Sequence, residues 1–267
     1  MALPKLLLVG CGKMGGAMLS GWLERGLEGC VVVDPGPAVA AAFGASATVV
    51  ADPAAIPADF RPEAVLLATK PQEAAAALPH YARFAGQAVF VSIMAGRTVA
   101  GMQRLLGGQA AIVRAMPNTP AAIRQGFTGA FAGPGVTAAQ RDLADAMLAA
   151  VGEVAWVPQE ALLDPITAVS GGGPAYVFLL AEVLEAAAID QGIPPGLARR
   201  MARATVVGSS ALLGASSQEA AELRRAVTSP KGTTERALAV LMAEPAWPDL
   251  MKQAIAAATA RSRELAD

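Results

Sequence analysis

The stretch Leu6-Leu7-Leu8-Val9-Gly10-Cys11-Gly12-Lys13-Met14-Gly15 runs from a short apolar segment straight into glycines spaced G-x-G-x-x-G. A buried strand entering a tight turn and then a helix is the context in which this spacing carries chemistry. Gly10 permits the turn, Gly12 lets a pyrophosphate approach the backbone, and Gly15 lets the following helix pack on its strand. The unpaired N–H groups at that helix start then face the phosphates. An ordinary strand-helix turn is the alternative. Cys30-Val31-Val32-Val33-Asp34 favours the dinucleotide reading, because it repeats a buried strand and ends in an acid about 20 residues further on, where a ribose-binding carboxylate belongs.

Working outward, the first part of the chain alternates buried strand patterns with alanine-rich helical ones, which predicts a parallel sheet with crossover helices. Strands are expected at Lys5–Val9, Cys30–Asp34, Ala64–Ala68, Ala88–Ile93 and Ala111–Arg114, with weaker patterns at Phe127–Ala130 and Val154–Val157. Ligands of a doubly wound sheet gather beyond its carboxyl edge. Gly10–Gly15, Asp34, Ala68-Thr69-Lys70-Pro71, Met94-Ala95-Gly96 and the loop around Asn118 should therefore share one crevice. After Pro158 the alternation stops. Helices are expected near Pro174–Gln191, Gly196–Leu213, Gln218–Val227, Thr233–Ala243 and Pro248–Glu264. The fold class is thus α/β, with a doubly wound dinucleotide-binding domain at residues 1–158 and an all-helical domain at 159–267. Leu179, Val183, Leu184, Ala187 and Ala188 give the first of those helices a wide apolar face, which suits a helical partner from a second subunit.

Composition narrows the function. A net charge of -1 supplies no basic field for nucleic acid. Two cysteines and one histidine form neither a disulfide framework nor a metal site, so no metal is expected and both thiols should be reduced, as in the cytoplasm. Tyr176–Ile189 is interrupted by Glu182 and Glu185, so no membrane span is expected. The single histidine, His80, follows Pro79 and reads as a surface residue. No lysine lies between Lys70 and Lys231. Alcohol oxidation, which needs a base near the nicotinamide, is poorly served. A cyclic imine needs less: alignment, a hydrogen-bond donor near its nitrogen, and a clamp for its charge.

Such a clamp is present at Thr228-Ser229-Pro230-Lys231-Gly232-Thr233-Thr234. The N–H groups at Gly232, Thr233 and Thr234 open a helix and can hold a carboxylate; a plain capped helix start is the equal alternative. Ser170-Gly171-Gly172-Gly173-Pro174 is a second glycine-rich helix entrance, where tight packing competes with ligand binding. The Asn118 amide suits either a nicotinamide carboxamide or substrate, or is only a loop amide.

Taken in order, Gly10–Gly15, Ala68-Thr69-Lys70-Pro71, Arg114-Ala115-Met116-Pro117-Asn118-Thr119-Pro120, Ala168–Tyr176 and Ser229-Pro230-Lys231-Gly232-Thr233-Thr234 resemble the pyrroline-5-carboxylate reductases over essentially the whole chain. That resemblance implies a Rossmann domain holding NADPH or NADH, a helical domain that interlocks with a second subunit, and dimers assembled into larger rings, often decamers. It implies that pyrroline-5-carboxylate is reduced to proline between the nicotinamide and the turn at Gly232–Thr234. Ser170, Ser229, Gly232, Thr233 and Thr234 are then substrate ligands, with Thr234 the catalytic donor to the imine nitrogen. Gly10, Cys11, Gly12, Lys13, Met14, Gly15, Asp34, Ala68, Thr69, Lys70, Pro71, Ala95, Gly96 and Asn118 are then the cofactor ligands. Lys231 departs from the family, which usually has glycine there.

Two choices stay open. Asp34, with no lysine or arginine before Arg61, favours NADH, whereas the family more often uses the phosphorylated cofactor. The five-membered imine is not distinguished from its six-membered homologue. Competing functions are a hydroxyacid dehydrogenase, which would need a lysine on the helix after Ser170, and a nucleotide sensor without turnover.

Overall fold

The computed structural model describes residues 4–266. Its first part is built on one eight-stranded sheet of β1 (Leu6–Val9), β2 (Cys30–Val33), β3 (Thr48–Val50), β4 (Ala64–Leu67), β5 (Val89–Ser92), β6 (Ala111–Met116), β7 (Gly126–Ala132) and β8 (Gly152–Trp156). The strand order is β3-β2-β1-β4-β5-β6-β7-β8. Strands β1 to β6 are parallel, β7 runs antiparallel to β6, and β8 is parallel to β7. The expected strands are all present with small shifts at their ends, and β3 is an addition. With only three residues at the sheet edge, β3 is too short to show a periodicity.

The pairing explains the sequence pattern. Leu6–Val9 lies between β2 and β4 and is covered on both faces, so each of its residues is buried. Leu6 and Leu8 enter one core with Met18 and Trp22, while Leu7 and Val9 enter the other with Leu78, Phe90 and Met102. Trp22 is wholly buried and donates its indole N–H to the Met147 carbonyl at 2.9 Å, locking helix Lys13–Glu24 to helix Ala138–Leu148. Burying about 200 Å² of such a ring at roughly 25 cal/mol/Å² contributes on the order of 5 kcal/mol.

After β3 the chain crosses to the other side of β1 and resumes at β4, so the topological switch falls at the carboxyl ends of β1 and β4. That places Gly10, Asp34 and Ala68 at one edge. Gly10 has φ +84, and an added Cβ would meet the Ala68 carbonyl at 2.9 Å. An added Cβ on Gly15 would overlap the Gly10 carbonyl oxygen. Both positions are therefore closed to side chains, as the turn requires.

By their packing the described residues form two compact units, one of residues up to 171 together with those from 258, the other Gly172–Ala257. The segment after Pro158 is helical in pattern but packs on the sheet unit: Leu163, Asp164 and Ala168 are buried, and Glu160 pairs with the buried Arg114 at 3.0 Å. The returning tail is tied by Ser262, whose hydroxyl donates to Asp164 Oδ1 at 2.7 Å.

The second unit is helical, with Gly173–Asp190 and Pro195–Ala215 as its main pair, followed by Ala220–Ala226, Thr233–Leu241 and the start of Trp247–Glu264. Arg199 and Glu185 join the main pair at 3.1 Å. Much of the apolar surface of this pair has nothing over it in one chain: Phe178 and Val207 are each 68% exposed. The helical run Glu160–Asp190 is, by length and composition, long and apolar enough to cross a membrane, with none of its most apolar window buried. Its first part belongs to the packed sheet unit, and Glu185 carries an ion pair with Arg199.

Candidate active site

Helix Lys13–Glu24 begins at Gly12 without a side-chain cap. Its first N–H groups have no carbonyl one turn back and remain available to phosphate oxygens. Gly12 itself has nothing within 4 Å of an added Cβ, so that side of the loop is open. Asp34 joins the loop to the end of β2: Oδ2 accepts the Cys11 N–H at 2.7 Å and Oδ1 accepts the Gly36 N–H at 2.8 Å. A cleft of about 510 Å³ extends from this loop and is lined by Gly10, Gly12, Asp34, Ala68, Thr69 and Lys70, among others. An open glycine backbone, free helix N–H groups and a carboxylate at the ribose position fit a dinucleotide. Lys13 and Lys70 are exposed and Met14 is partly buried.

The neighbouring loops are braced. Arg97 Nε donates to the Pro71 carbonyl at 2.9 Å, linking the loops after β4 and β5, and the Thr69 hydroxyl reaches Met94 Sδ at 3.5 Å. Ala95 is exposed, whereas Gly96 is buried, has φ +74 and lies against the Leu265 backbone. Ala95 is thus the accessible residue of that pair. Asn118 has both ends of its amide engaged by protein: Oδ1 accepts the Phe127 N–H at 2.9 Å, and Nδ2 donates to Ser170 Oγ at 3.1 Å and to the Ser170 carbonyl at 3.3 Å. This geometry makes Asn118 a support for Ser170. Ser170 sits in a π-helical turn, Thr167–Gly171, a distortion frequent at functional sites.

In the helical unit, Thr233–Leu241 starts at Gly232 with no side-chain cap. The Gly232 N–H donates to the Ser229 carbonyl at 3.0 Å and is engaged within the turn. The donors open to a carboxylate are therefore those of Thr233, Thr234 and Glu235, one residue later than the sequence suggested. An added Cβ on Gly232 would meet the Ser229 carbonyl oxygen at 2.9 Å, so glycine here is required by the turn itself. Lys231 has φ +60, and its N–H donates to Glu235 Oε2 at 2.7 Å. Ser229, Thr233 and Thr234 are exposed in the single chain. Glu235 is a site residue the sequence reading passed over; a glutamate three positions after a helix cap is a recognisable signal for such a reach-back bond.

The two cysteines are not reactive groups. Burial, and then the Asp34 carboxylate, pushes Cys11 from 9.0 to about 11. Burial, and then Cys11, pushes Cys30 to about 12. Both thiols are neutral in the physiological range. His80 is exposed, as expected, and no group of metal-binding side chains occurs among the described residues.

Comparison with known proteins is consistent with this arrangement. Residues 160–265 match a family described as pyrroline-5-carboxylate reductase dimerisation, and residues 5–96 one described as NADP oxidoreductase, coenzyme F420-dependent. The pyrroline-5-carboxylate reductase of Pseudomonas aeruginosa is 38% identical over 272 residues, covering 100% of this chain and 98% of that protein. The chain belongs to the pyrroline-5-carboxylate reductase family. The family member from Mycobacterium tuberculosis is 34% identical, with 98% and 97% of the two chains covered. The solved structure from Coxiella burnetii has 31% identity and a TM-score of 0.91, covering 98% of each chain. The Plasmodium falciparum pyrroline carboxylate reductase, solved with NADP bound, has the same fold at a TM-score of 0.84 and 23% identity. The family match over 160–265 agrees with self-association through the exposed apolar helices.

Proposed function

We infer that the protein reduces the C=N bond of 1-pyrroline-5-carboxylate to give proline, using NAD(P)H. The observation that carries this reading is the full-length identity to reductases of that name, supported by a chain that presents both an open glycine loop and an uncapped helix start. When bound, the nicotinamide would supply hydride to the imine carbon, and the neutral imine nitrogen would take its proton from solvent. In this reading the N–H groups of Thr233, Thr234 and Glu235 hold the substrate carboxylate. Ser229 and the supported Ser170 add hydroxyl donors, and the Thr234 hydroxyl donates to the ring nitrogen, polarising the C=N bond toward attack. Lys13, Met14 and Gly15 hold the pyrophosphate through backbone donors, Asp34 the ribose, and Lys70 and Ala95 line the path toward the nicotinamide.

Thr234→Val removes the donor and keeps the shape. If the bond strengthens as hydride transfers, kcat falls about tenfold and KM changes less. Parental kcat and KM in this variant would remove Thr234 from the mechanism. The assembly proposed is a dimer through the helical unit, with rings of dimers up to a decamer carried by the family resemblance, in a soluble cytoplasmic enzyme. Sedimentation over a dilution series tests it, and an active monomer at all concentrations would refute it.

A further inference from the structure

We propose that this chain is selective for NADH, with Asp34 and the loop after it excluding the 2′-phosphate of NADPH. The inference rests on the reductase reading above and names its cofactor. Asp34 cannot swing aside, because each carboxylate oxygen already accepts a backbone N–H, from Cys11 at 2.7 Å and from Gly36 at 2.8 Å. An ionised carboxylate has about four acceptor sites, so one on each oxygen remains. That pair suits the two hydroxyl donors of an unmodified ribose. A phosphate monoester offers instead about −1.5 to −2 charges and acceptor oxygens, and meets a fixed negative group.

The loop that would have to receive a phosphate carries no cation and few backbone donors. Residues Asp34-Pro35-Gly36-Pro37 contain two prolines, which have no N–H, and the Gly36 N–H is already bonded to Asp34. No lysine or arginine occurs between Arg25 and Arg61. Around the cleft, Asp34 and Glu73 are carboxylates and Lys70 is the cation among the lining residues. Asp52 stands between two further lining residues, Ala51 and Pro53, and after burial its charge helps push the Tyr81 phenol, also on the cleft wall, up to about 12. The wall thus carries more negative than positive charge around the cleft that the 2′-phosphate would enter.

The test compares NADH and NADPH in two ways: by kcat/KM with saturating pyrroline-5-carboxylate, and by fluorescence titration of each dinucleotide without substrate. The parent should favour NADH by about tenfold or more, and Asp34→Ser should cut that ratio by about tenfold. Adding Pro35→Arg to it should move the ratio further toward NADPH. A merely structural Asp34 would weaken both dinucleotides equally and leave the ratio fixed, which overturns the proposal, as does a parent that prefers NADPH. If neither dinucleotide supports turnover but NADH binds tighter and Asp34→Ser erases the difference, the selectivity stands and the reductase reading fails.

Discussion

Lys231 occupies a left-handed backbone conformation at the head of the proposed substrate turn, with φ +60 and its N–H bonded to Glu235. Lys231→Gly and Lys231→Ala both delete the ammonium and both keep that backbone bond. They differ in strain: the left-handed region costs an L-residue about 1–2 kcal/mol, and glycine escapes it. Glycine loses more freedom on folding, which takes back about 0.4–1 kcal/mol. The glycine variant should therefore be more stable than the alanine variant by about 0.5–1 kcal/mol, or about 2 °C in Tm for a chain of this size. Thermal and urea unfolding of the two side by side measure this. KM for the imine separates the other contribution: a rise common to both variants reports the lost charge, and a difference between them reports the backbone. An alanine variant as stable as the glycine variant would refute the left-handed turn and the donor geometry drawn from it.

Gly12 has an ordinary negative φ and open space beside it, so Gly12→Val should leave Tm within about 1 °C while weakening dinucleotide binding by more than about tenfold, since the branched side chain would occupy the phosphate approach; undiminished affinity would place the cofactor elsewhere. The raised thiols predict an alkaline limit. The folded chain holds the Cys11 and Cys30 protons more tightly than the unfolded chain, so their contribution to stability is intact below about pH 9 and is lost as pH rises through about 11 and 12. Native alkylation at about pH 8 should accordingly be slow and become rapid on unfolding, and fast labelling of the native protein would contradict the burial.

Much of this was legible in the chain because its signals are local. Leu6–Val9 and Cys30–Val33 are buried on both faces and read as unbroken apolar runs, and the late helices carry long alanine and leucine patterns. What escaped depends on partners distant in sequence. Glu160–Ala168 looks helical, yet belongs with the sheet because Leu163 and Asp164 are buried there and Asp164 receives Ser262 from the far end of the chain. The Asn118 amide could be seen as a donor, but its partners Phe127 and Ser170 could not. The substrate turn was recognisable from its residues, whereas the engagement of the Gly232 N–H by Ser229, which moves the open donors one residue along, is a property of the folded turn. Asp34 could be placed at the end of β2, but not its double hold on Cys11 and Gly36.

The reductase reading is tested most directly by mixing the purified protein with NADH and 1-pyrroline-5-carboxylate and measuring the loss of reduced nicotinamide and the formation of proline together. The account predicts one proline formed for each NADH consumed, and no comparable oxidation of NADH with a 2-keto acid. Tight NADH binding without proline formation, or faster turnover of the keto acid than of the imine, would contradict it.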